Sequence, residues 1–321
     1  MKKILVIGGA GYIGSHIVYD LIDSNYSVTI LDDLSTGNIE NIDSRSEFIR
    51  GSFLDAPLLN KILPQVETIV HLAALKAAGE SMSNPMKYSN QNIIGTLRLI
   101  DLCIENSVKN FIFSSSAAVY GTPIYLPIDE KHPLKPINYY GFTKKIVESQ
   151  LLWYNKLKAM NIACLRYFNA AGYDSSCRIL GLEKNPANLL PIIMEVAIGK
   201  RKSLEVFGNN YDTPDGTCLR DYIHVSDLSI AHIQAIKTLE NRDRIILNLG
   251  TGYAYSVLEV LKEAELVTGK KINYKITDKR KGDPAELYTS SISAKKILHW
   301  EPSHSDIKNI LSTMWEIYKS N

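Results

Sequence analysis

The feature that most constrains this chain is the glycine-rich segment after its first apolar run. Lys3–Ile7 has the pattern of a buried strand, and the seven residues GGAGYIG at 8–14 lead into an amphipathic segment that extends to about Ser24. Glycines at this spacing allow a tight turn whose backbone N–H groups approach a pyrophosphate at a helix N-terminus. The segment therefore predicts a dinucleotide-binding turn, and its candidate cofactor-binding residues are Gly8, Gly11, Tyr12, Ile13 and Gly14.

The second predicted strand, Ser27–Leu31, ends in the acidic pair Asp32-Asp33. A carboxylate at this strand end can accept hydrogen bonds from the adenosine ribose hydroxyls, and it would repel a 2′-phosphate. The pair therefore favours NAD over NADP. The alternative is a glycine-rich turn followed by a solvated acidic pair, and it fits less well because this turn follows a strand and opens a helix.

Strand and helix patterns alternate through the first half of the chain. Further strands are predicted at Glu47–Arg50, Thr68–Leu72, Phe111–Phe113 and Ile162–Tyr167, and the helices between them include one around 93–105 and one over 142–158. This alternation predicts an α/β fold with a Rossmann-type, doubly wound parallel sheet.

The amino-acid composition changes after Asn169, where glycine, proline and asparagine become frequent. We expect an NAD-binding domain over 1–171 and a smaller, mixed α/β substrate-binding domain over 172–321. The boundary is expected to be interleaved, because parts of 219–250 have strand patterns that can return to the first domain: 219–225 and 245–249.

Charge and cysteine usage exclude several classes of protein. The net charge of the 321 residues is +2, which gives no general attraction to nucleic acid or to a membrane surface. The four cysteines lie far apart without a C-x-x-C pair, so neither zinc nor a disulfide framework is expected, and a cytoplasmic location fits. No H-E-x-x-H metal spacing occurs, and no apolar run approaches the ~20 residues of a membrane helix.

A candidate catalytic group follows the strand at 111–113. This strand runs into three serines that end at Ser116, and Tyr140 stands four residues before Lys144, so both side chains lie on one helix face. A free tyrosine has a pKa of ~10, but a nearby ammonium and a positive nicotinamide ring favour the phenolate. Tyr140 is thus a candidate base for an alcohol whose carbon loses hydride, and Ser116 can hold the alcohol oxygen. Taken one at a time, each feature has an alternative interpretation: Tyr140 and Lys144 as a surface pair, and the three serines as a strand end with hydroxyl caps.

Longer motifs over nearly the whole chain resemble the extended short-chain dehydrogenase/reductase family, and within it the UDP-hexose 4-epimerases. The matching segments are GGAGYIGSH (8–16), HLAALKAAGES (71–81), FIFSSSAAVYG (111–121), YGFTK (140–144), LRYFNAAG (165–172), NLLP (188–191), DGTCLRDYIHVSDL (215–228) and RKGDPA (280–285). The resemblance implies NAD-dependent interconversion of UDP-glucose and UDP-galactose through oxidation at C4, rotation of the 4-keto sugar and re-reduction. It also implies a homodimer and leaves open action on N-acetylated UDP-hexoses.

The resemblance also implies roles for individual residues. Catalysis falls to Ser116, Tyr140 and Lys144. The residues implied to hold NAD are Gly8, Gly11, Gly14, Asp32, Lys76 and Tyr167, with Tyr140 and Lys144 also close to the nicotinamide. The residues implied to contact the UDP-sugar are Lys76, Ser116, Asn169, Asn188, Phe207, Arg220, Arg280 and Asp283.

The last of these residues have a physical rationale of their own. Arg220 and Arg280 are each followed by an acidic residue within three positions, and two guanidinium groups can neutralise a diphosphate by bidentate contacts. The alternatives are a solvated basic loop around Arg280 and a surface ion pair of Arg220 with Asp221.

The sequence departs from the family pattern at two informative places. Ser52 stands where an aspartate near the adenine is usual, so adenine contacts there would come from backbone groups or Phe53. Leu287 stands at the position that lines the C2 side of the sugar, where the family has either a bulky tyrosine or a small residue, and it leaves open whether N-acetylated sugars fit.

Two other functions fit this sequence less well. A nucleotide-sugar 4,6-dehydratase of the same fold typically has a Thr-Asp-Glu run after the catalytic strand, whereas this chain has Ser116-Ala117-Ala118. A non-catalytic NAD-binding regulator would suit loss of the tyrosine or the lysine, but both are present.

Overall fold

The computed structural model of this chain describes residues 3–184, 186–280 and 282–321. Met1, Lys2, Asn185 and Lys281, which fall within the domain ranges expected from sequence, lie outside the described residues. The strands, in chain order, are β1 (Lys3–Ile7), β2 (Ser27–Asp32), β3 (Glu47–Arg50), β4 (Thr68–His71), β5 (Asn110–Ser116), β6 (Asn161–Tyr167), β7 (Asn169–Ala171), β8 (Leu204–Phe207), β9 (Leu219–Arg220), β10 (Tyr222–His224), β11 (Arg244–Leu249), β12 (Tyr255–Ser256), β13 (Tyr274–Thr277) and β14 (Glu286–Leu287).

The helices include two whose starts show why the chain becomes helical there. The Asp55 carboxylate accepts a hydrogen bond from the Leu58 N–H at 3.1 Å, and Pro57 occupies the first turn. The helix expected around 93–105 begins with a π-helical stretch, Ser89–Gly95. The α-helices are α1 (Tyr12–Asp23), α2 (Ala56–Ile62), α3 (Ala78–Ser83), α4 (Pro85–Tyr88), α5 (Thr96–Glu105), α6 (Tyr139–Lys158), α7 (Leu189–Ala197), α8 (Val225–Thr238), α9 (Val257–Thr268), α10 (Ile292–Leu298) and α11 (Ile307–Tyr318).

Seven parallel strands form the central sheet, in the order β11-β6-β5-β4-β1-β2-β3. Alternate residues of β1 enter two different cores: Ile4 packs with residues of α1 and α8, and Leu5 packs with residues of α5 and α6. Burial on both faces explains why these strands are continuously apolar. The α/β, Rossmann-type doubly wound fold expected from sequence is confirmed.

The remaining strands lie outside this sheet and pair in small groups. β7 pairs with β10, β8 with β13, and β9 with both β12 and β14. A separate apolar core formed largely by α7, α9 and α11 supports them. Of the two segments expected to return to the first domain, 245–249 lies in β11, which pairs with β6 of the central sheet. The other, 219–225, contains β10, which pairs with β7 at 169–171, and β9, which pairs with β12 and β14.

The order of the strands changes direction once, between β1 and β4. Consecutive strands run outwards on either side of β1 and β4, so the connections after these two strands leave in opposite directions. A crevice at the carboxyl ends of such strands is the usual ligand site of a doubly wound sheet.

Among the described residues, no helix combines the length and the apolar character needed to cross a bilayer. The same residues contain no group of His, Cys, Asp or Glu placed to hold a metal ion.

Four buried histidines make the fold sensitive to acid. Burial is the largest influence on each, and it lowers the pKa of His16, His224 and His232 to about 4 and that of His71 to about 3. Each folded-state pKa lies below the unfolded value of ~6.5, so between pH 6.5 and pH 4 the unfolded chain binds more protons and stability falls as the pH falls. We expect a loss of about 2 kcal/mol per histidine between pH 7 and pH 5. Urea unfolding at these two pH values checks it, and a midpoint that does not fall at pH 5 contradicts it.

Candidate active site

The glycine turn closes around its own backbone. Gly8 has a φ of +86°, and a Cβ added to Gly14 would lie 2.1 Å from the Gly8 carbonyl oxygen. Gly11 is the N-cap of α1 and offers no side-chain cap, so the first N–H groups of the helix, including those of Tyr12 and Ile13, have no intrahelical partner. A bare turn with free donors at a helix N-terminus fits a pyrophosphate.

Asp32 holds this turn to the end of β2. One carboxylate oxygen accepts a hydrogen bond from the Ala10 N–H at 3.0 Å, and the other accepts one from the Leu34 N–H at 2.8 Å. Burial raises the pKa of Asp32, and the two backbone bonds oppose that rise. Asp33 is exposed and accepts a hydrogen bond from the nearby Ser35 N–H at 2.9 Å. Of the two aspartates, Asp32 is therefore the one placed against the turn.

The two loops after β3 and β4 carry Ser52 and Lys76. The Ser52 hydroxyl, half-buried, accepts a hydrogen bond from the Leu54 N–H at 3.2 Å. The Lys76 ammonium pairs with Glu183. The charge of Glu183 also reaches Tyr12, where it helps burial to raise the pKa of the phenol. Lys76, on the loop after β4, is thus paired with a residue of the second half of the chain.

Ser116, Tyr140 and Lys144 meet where β5 ends and α6 begins. The Lys144 side chain is buried, its ammonium donates to the Ser114 carbonyl oxygen at 2.7 Å, and it lies 5.8 Å from the centre of the Tyr140 ring. The Ser116 hydroxyl lies close enough to the Tyr140 phenol to lower its pKa. The Asn138 side chain caps α6 by accepting from the Gly141 N–H at 2.8 Å, which places Tyr140 in the first turn. The structure therefore brings together all three residues that the sequence singled out for catalysis.

The sequence predicts that the ammonium and a positive nicotinamide ring together favour the phenolate, whereas among the protein's own groups burial is the largest influence on both Tyr140 and Lys144. Burial raises the pKa of Tyr140, and it is the hydrogen bond with Ser116 that lowers it, not the lysine. Burial also lowers the pKa of Lys144 to about 7, with the charge of Glu148 acting against that fall. The reason is desolvation, which penalises the charged form of both groups and which a sequence does not reveal.

Tyr167 ends β6 behind this group. Its hydroxyl is 2.6 Å from His232 Nε2, and the side chain is buried in the core that α1 and α8 share. β5 and β6 pair Ser116 with Tyr167, so the tyrosine stands next to the catalytic strand end. Its hydroxyl is already bonded to a core histidine, which leaves the ring as the part of Tyr167 that can face a ligand.

Four of the expected substrate-binding residues form one cluster. An Arg220 guanidinium nitrogen lies 2.5 Å from an Asp283 carboxylate oxygen, and the Arg280 guanidinium lies 3.7 Å from the centre of the Phe207 ring. The Asp283 N–H donates to the Arg280 carbonyl oxygen at 3.1 Å, which ties the two contacts into one turn. The ion pair of Arg220 is therefore with Asp283, not with the adjacent Asp221.

Asn169 lies at the margin of this cluster, whereas Asn188 stands at the start of α7. Asn169 donates to the carbonyl oxygen of Asp221, the neighbour of Arg220, at 2.7 Å. Asn188 is exposed and is the N-cap of α7, where its side chain makes no capping bond. A Cβ added to Gly282 would lie 3.6 Å from the Ile137 side chain, just before α6. The arginine cluster thus faces the start of the helix that carries Tyr140.

Two charged residues of this region were missed by the sequence analysis. Glu148 and Arg166 form a buried ion pair directly under the catalytic strand end, with nitrogen–oxygen distances of 2.6 and 2.9 Å. A signal was present, since Glu148 is four residues after Lys144 and Arg166 interrupts an apolar strand. Charged residues on buried elements are rare unless they are paired.

Comparisons with known proteins agree with this geometry. Residues 4–250 match the NAD dependent epimerase/dehydratase family. A UDP-glucose 4-epimerase of Lactobacillus helveticus is 40% identical over 99% of this chain and 98% of that relative. The crystal structure of UDP-glucose-4-epimerase from Stenotrophomonas maltophila with bound NAD and formylated UDP-arabinopyranose has a TM-score of 0.96 and 35% identity, and the match covers 100% of this chain and 98% of that one. The UDP-Glc/GlcNAc 4-epimerase from Campylobacter jejuni is also similar, with a TM-score of 0.88, 35% identity and full coverage of both chains. This chain therefore belongs to the NAD dependent epimerase/dehydratase family.

Proposed function

We propose that this chain interconverts UDP-glucose and UDP-galactose by inverting the sugar at C4 with NAD as its cofactor. The observation that carries the proposal is the placement of Ser116, Tyr140 and Lys144 at the sheet edge that also holds the glycine turn. The arginine cluster faces them from the second half of the chain, so a nucleotide held there presents its sugar to Tyr140.

The nucleotide is held by the cluster that joins Phe207 to Asp283. Arg220 and Arg280 bind the diphosphate, because guanidinium groups match phosphate oxygens in pairs. Phe207 offers a ring face to the uracil, and Asp283 accepts a bond from a ribose hydroxyl. Asn169 and Asn188 contact the remaining polar groups of the UDP-sugar. Binding energy from the nucleotide, remote from C4, orients the sugar for reaction.

The chemistry at C4 depends on a proton transfer by Tyr140. When bound, NAD accepts hydride from C4 and later returns it. Tyr140 takes the proton of the 4-hydroxyl and returns it to the same oxygen after the sugar has turned over, while Ser116 bonds that oxygen. Lys144 orients the phenol from one helical turn away, and it can reach the nicotinamide ribose. The 4-keto sugar turns over about its link to the diphosphate, which stays anchored, and no net redox change results.

The cofactor is held by the glycine turn and the loops that follow β2, β3 and β4. The free N–H groups at the start of α1 bind the pyrophosphate, and Asp32 accepts from the adenosine ribose. Lys76, on the loop after β4, contacts the cofactor or the substrate. Ser52 stands beside the adenine site, and Tyr167 presents its ring near the nicotinamide. We assign 1–171 to NAD binding and 172–321 to UDP-sugar binding, with β11 returned to the first part.

A direct assay tests this function and the choice of sugar together. Purified protein is incubated with UDP-galactose and, separately, with UDP-N-acetylgalactosamine, without added cofactor, and products are separated by chromatography. Formation of UDP-glucose is expected. Leu287 packs against the small apolar cluster that includes Ala117, the residue after Ser116, and the family resemblance assigns it to the C2 side of the sugar, where an N-acetyl group would lie. Formation of a 4-keto-6-deoxy sugar in place of UDP-glucose would identify a dehydratase instead.

The proposed homodimer would form through α5 and α6. These helices lie side by side, joined by a 2.6 Å hydrogen bond from the Tyr154 hydroxyl to Asp101. Exposed large apolar residues are Trp153 and Leu157 on α6 and Ile94 in the π-helical stretch that leads into α5. An exposed apolar face of this kind is typical of protein interfaces.

A cytoplasmic location suits the chain because its four cysteines are free.

Replacing Trp153 by glutamate is expected to give a monomer. A buried charge at the centre of an apolar interface is unfavourable unless it is paired. Light scattering should report about twice 35.9 kDa for the native chain and about 35.9 kDa for the variant at the same concentration. The matched control is Tyr274→Glu, which changes a similarly exposed aromatic residue on β13. A native mass of a single chain, or an unchanged mass in W153E, contradicts this interface.

A further inference from the structure

A buried carboxylate joins the catalytic strand to the catalytic helix. Glu148 lies on α6, one turn after Lys144, and only 2% of it is exposed. One of its carboxylate oxygens accepts a hydrogen bond from the Ser115 hydroxyl, which is equally buried near the end of β5. The bond therefore links α6 to β5 without any contribution from solvent.

The position of this link is informative because of its two neighbours in sequence. The carbonyl oxygen of Ser114 accepts a hydrogen bond from the Lys144 ammonium at 2.7 Å, and the Ser116 hydroxyl lies close enough to the Tyr140 phenol to lower its pKa. Ser115 stands between them and faces Glu148. Three successive residues of β5 thus contact three residues of α6 at positions 140, 144 and 148, one helical turn apart each. The strand end and the helix face are held in register by these contacts.

The carboxylate is itself fixed from a third element. Arg166 on β6 donates from Nε at 2.9 Å and from a terminal nitrogen at 2.6 Å to the two oxygens of Glu148. The other terminal nitrogen of Arg166 lies 2.7 Å from the Tyr120 hydroxyl, which in turn donates to Asn248 at 2.6 Å. A two-point contact of this kind fixes orientation as well as charge. Glu148 cannot swing away from Ser115 without breaking it.

The start of α6 is also packed tightly against the turn after Ser116. A Cβ added to Gly141 would lie 2.3 Å from the Ala118 carbonyl oxygen. A contact this close leaves little room for the helix to move towards the strand. The Ser115–Glu148 bond opposes movement in the other direction, since it lies further along the same helix.

We propose that Glu148 is a positioning residue of this enzyme, which acts through Ser115 to hold Ser116 at the correct distance from Tyr140 and Lys144. The proposal rests on the roles given to those three residues under the proposed function. Its physical basis is that proton transfer requires the donor and the acceptor within hydrogen-bond reach, so a displacement of about 1 Å can cost on the order of 10²-fold in rate.

The test is Ser115→Ala, which removes one buried hydroxyl and leaves the Glu148–Arg166 pair complete. We expect kcat to fall at least about tenfold, while the KM for UDP-galactose stays within about twofold. The rate of change in the nicotinamide absorbance of the bound cofactor, measured after UDP-galactose is added, should fall in parallel. All rates are divided by the concentration of bound NAD, so that a smaller folded fraction does not affect them.

The matched control is Tyr120→Phe, which removes a hydroxyl from the opposite side of the same buried network. A merely structural network predicts equal effects of the two variants on unfolding and on rate, whereas the proposal predicts that Y120F keeps kcat within about threefold. Equal losses of kcat in both variants, an unchanged kcat in S115A, or a loss confined to KM would each overturn it. Tyr140→Phe is measured alongside: if that variant remains active, the assigned roles fail, whereas an inactive Y140F with a fully active S115A removes only the positioning role.

Discussion

Replacing Tyr140 by phenylalanine is expected to abolish nearly all turnover, with kcat lowered on the order of 10³-fold or more. The phenol lies beside the Lys144 ammonium and close enough to Ser116 for that hydroxyl to lower its pKa, and the proposed function assigns its oxygen the proton of the sugar hydroxyl. The ring stays in the variant. Bound NAD and affinity for UDP are therefore expected to match the native protein, and both can be measured by absorbance and by titration calorimetry.

The chain offers a closely matched control for this change. Tyr139 is the preceding residue of α6, and its hydroxyl is 2.6 Å from the Ser89 hydroxyl, away from the catalytic group. Tyr139→Phe removes the same atom one residue earlier and is expected to keep kcat within about threefold. Comparable activity in the two variants would remove Tyr140 from the mechanism.

A second large effect is expected from Gly14→Ala, which should empty the protein of NAD. The added methyl group would lie 2.1 Å from the Gly8 carbonyl oxygen and 2.9 Å from the Gly9 Cα, both of them backbone atoms. The turn or the helix must therefore move, and the N–H groups that face the pyrophosphate move with it. We expect at least about a tenfold drop in NAD retained through purification, with turnover lost in proportion.

Gly79→Ala is the control for this substitution. Gly79 lies in α3, and a Cβ there would meet nothing within 4 Å. Its NAD content, measured by absorbance after the protein is denatured, should equal that of the native chain. If G14A retains a full complement of NAD, the glycine turn does not hold the pyrophosphate as proposed.

The parts of the fold that the sequence predicted are those governed by local pattern. The strand Lys3–Ile7 is apolar at every position but the first because both of its faces are buried, and the glycine turn after it permits only a narrow range of structures. β9, β12 and β14 have two residues each, which is too short for any period to appear. Their pairing depends on contacts between distant parts of the chain, and it was not predicted.

Site geometry was predictable only where spacing within one element determined it. Tyr140 and Lys144 are four apart on one helix, so their shared face follows from the sequence. The contact of Arg220 with Asp283 joins residues 63 positions apart, and nothing local favours it over Asp221. The pKa directions of Tyr140 and Lys144 depend on how deeply each is buried, which is a property of the packed molecule.

The measurement that tests the central claim most directly follows the hydrogen on C4. UDP-galactose with deuterium at C4 is incubated with the purified protein in ordinary water, without added cofactor, and the UDP-glucose formed is analysed by mass spectrometry and NMR. If the hydrogen leaves C4 as hydride and returns to the opposite face within one bound complex, the product keeps deuterium at C4. Washout of the label into water would show that C4 is inverted by proton exchange, and the account of Tyr140 acting opposite a bound oxidant would be wrong.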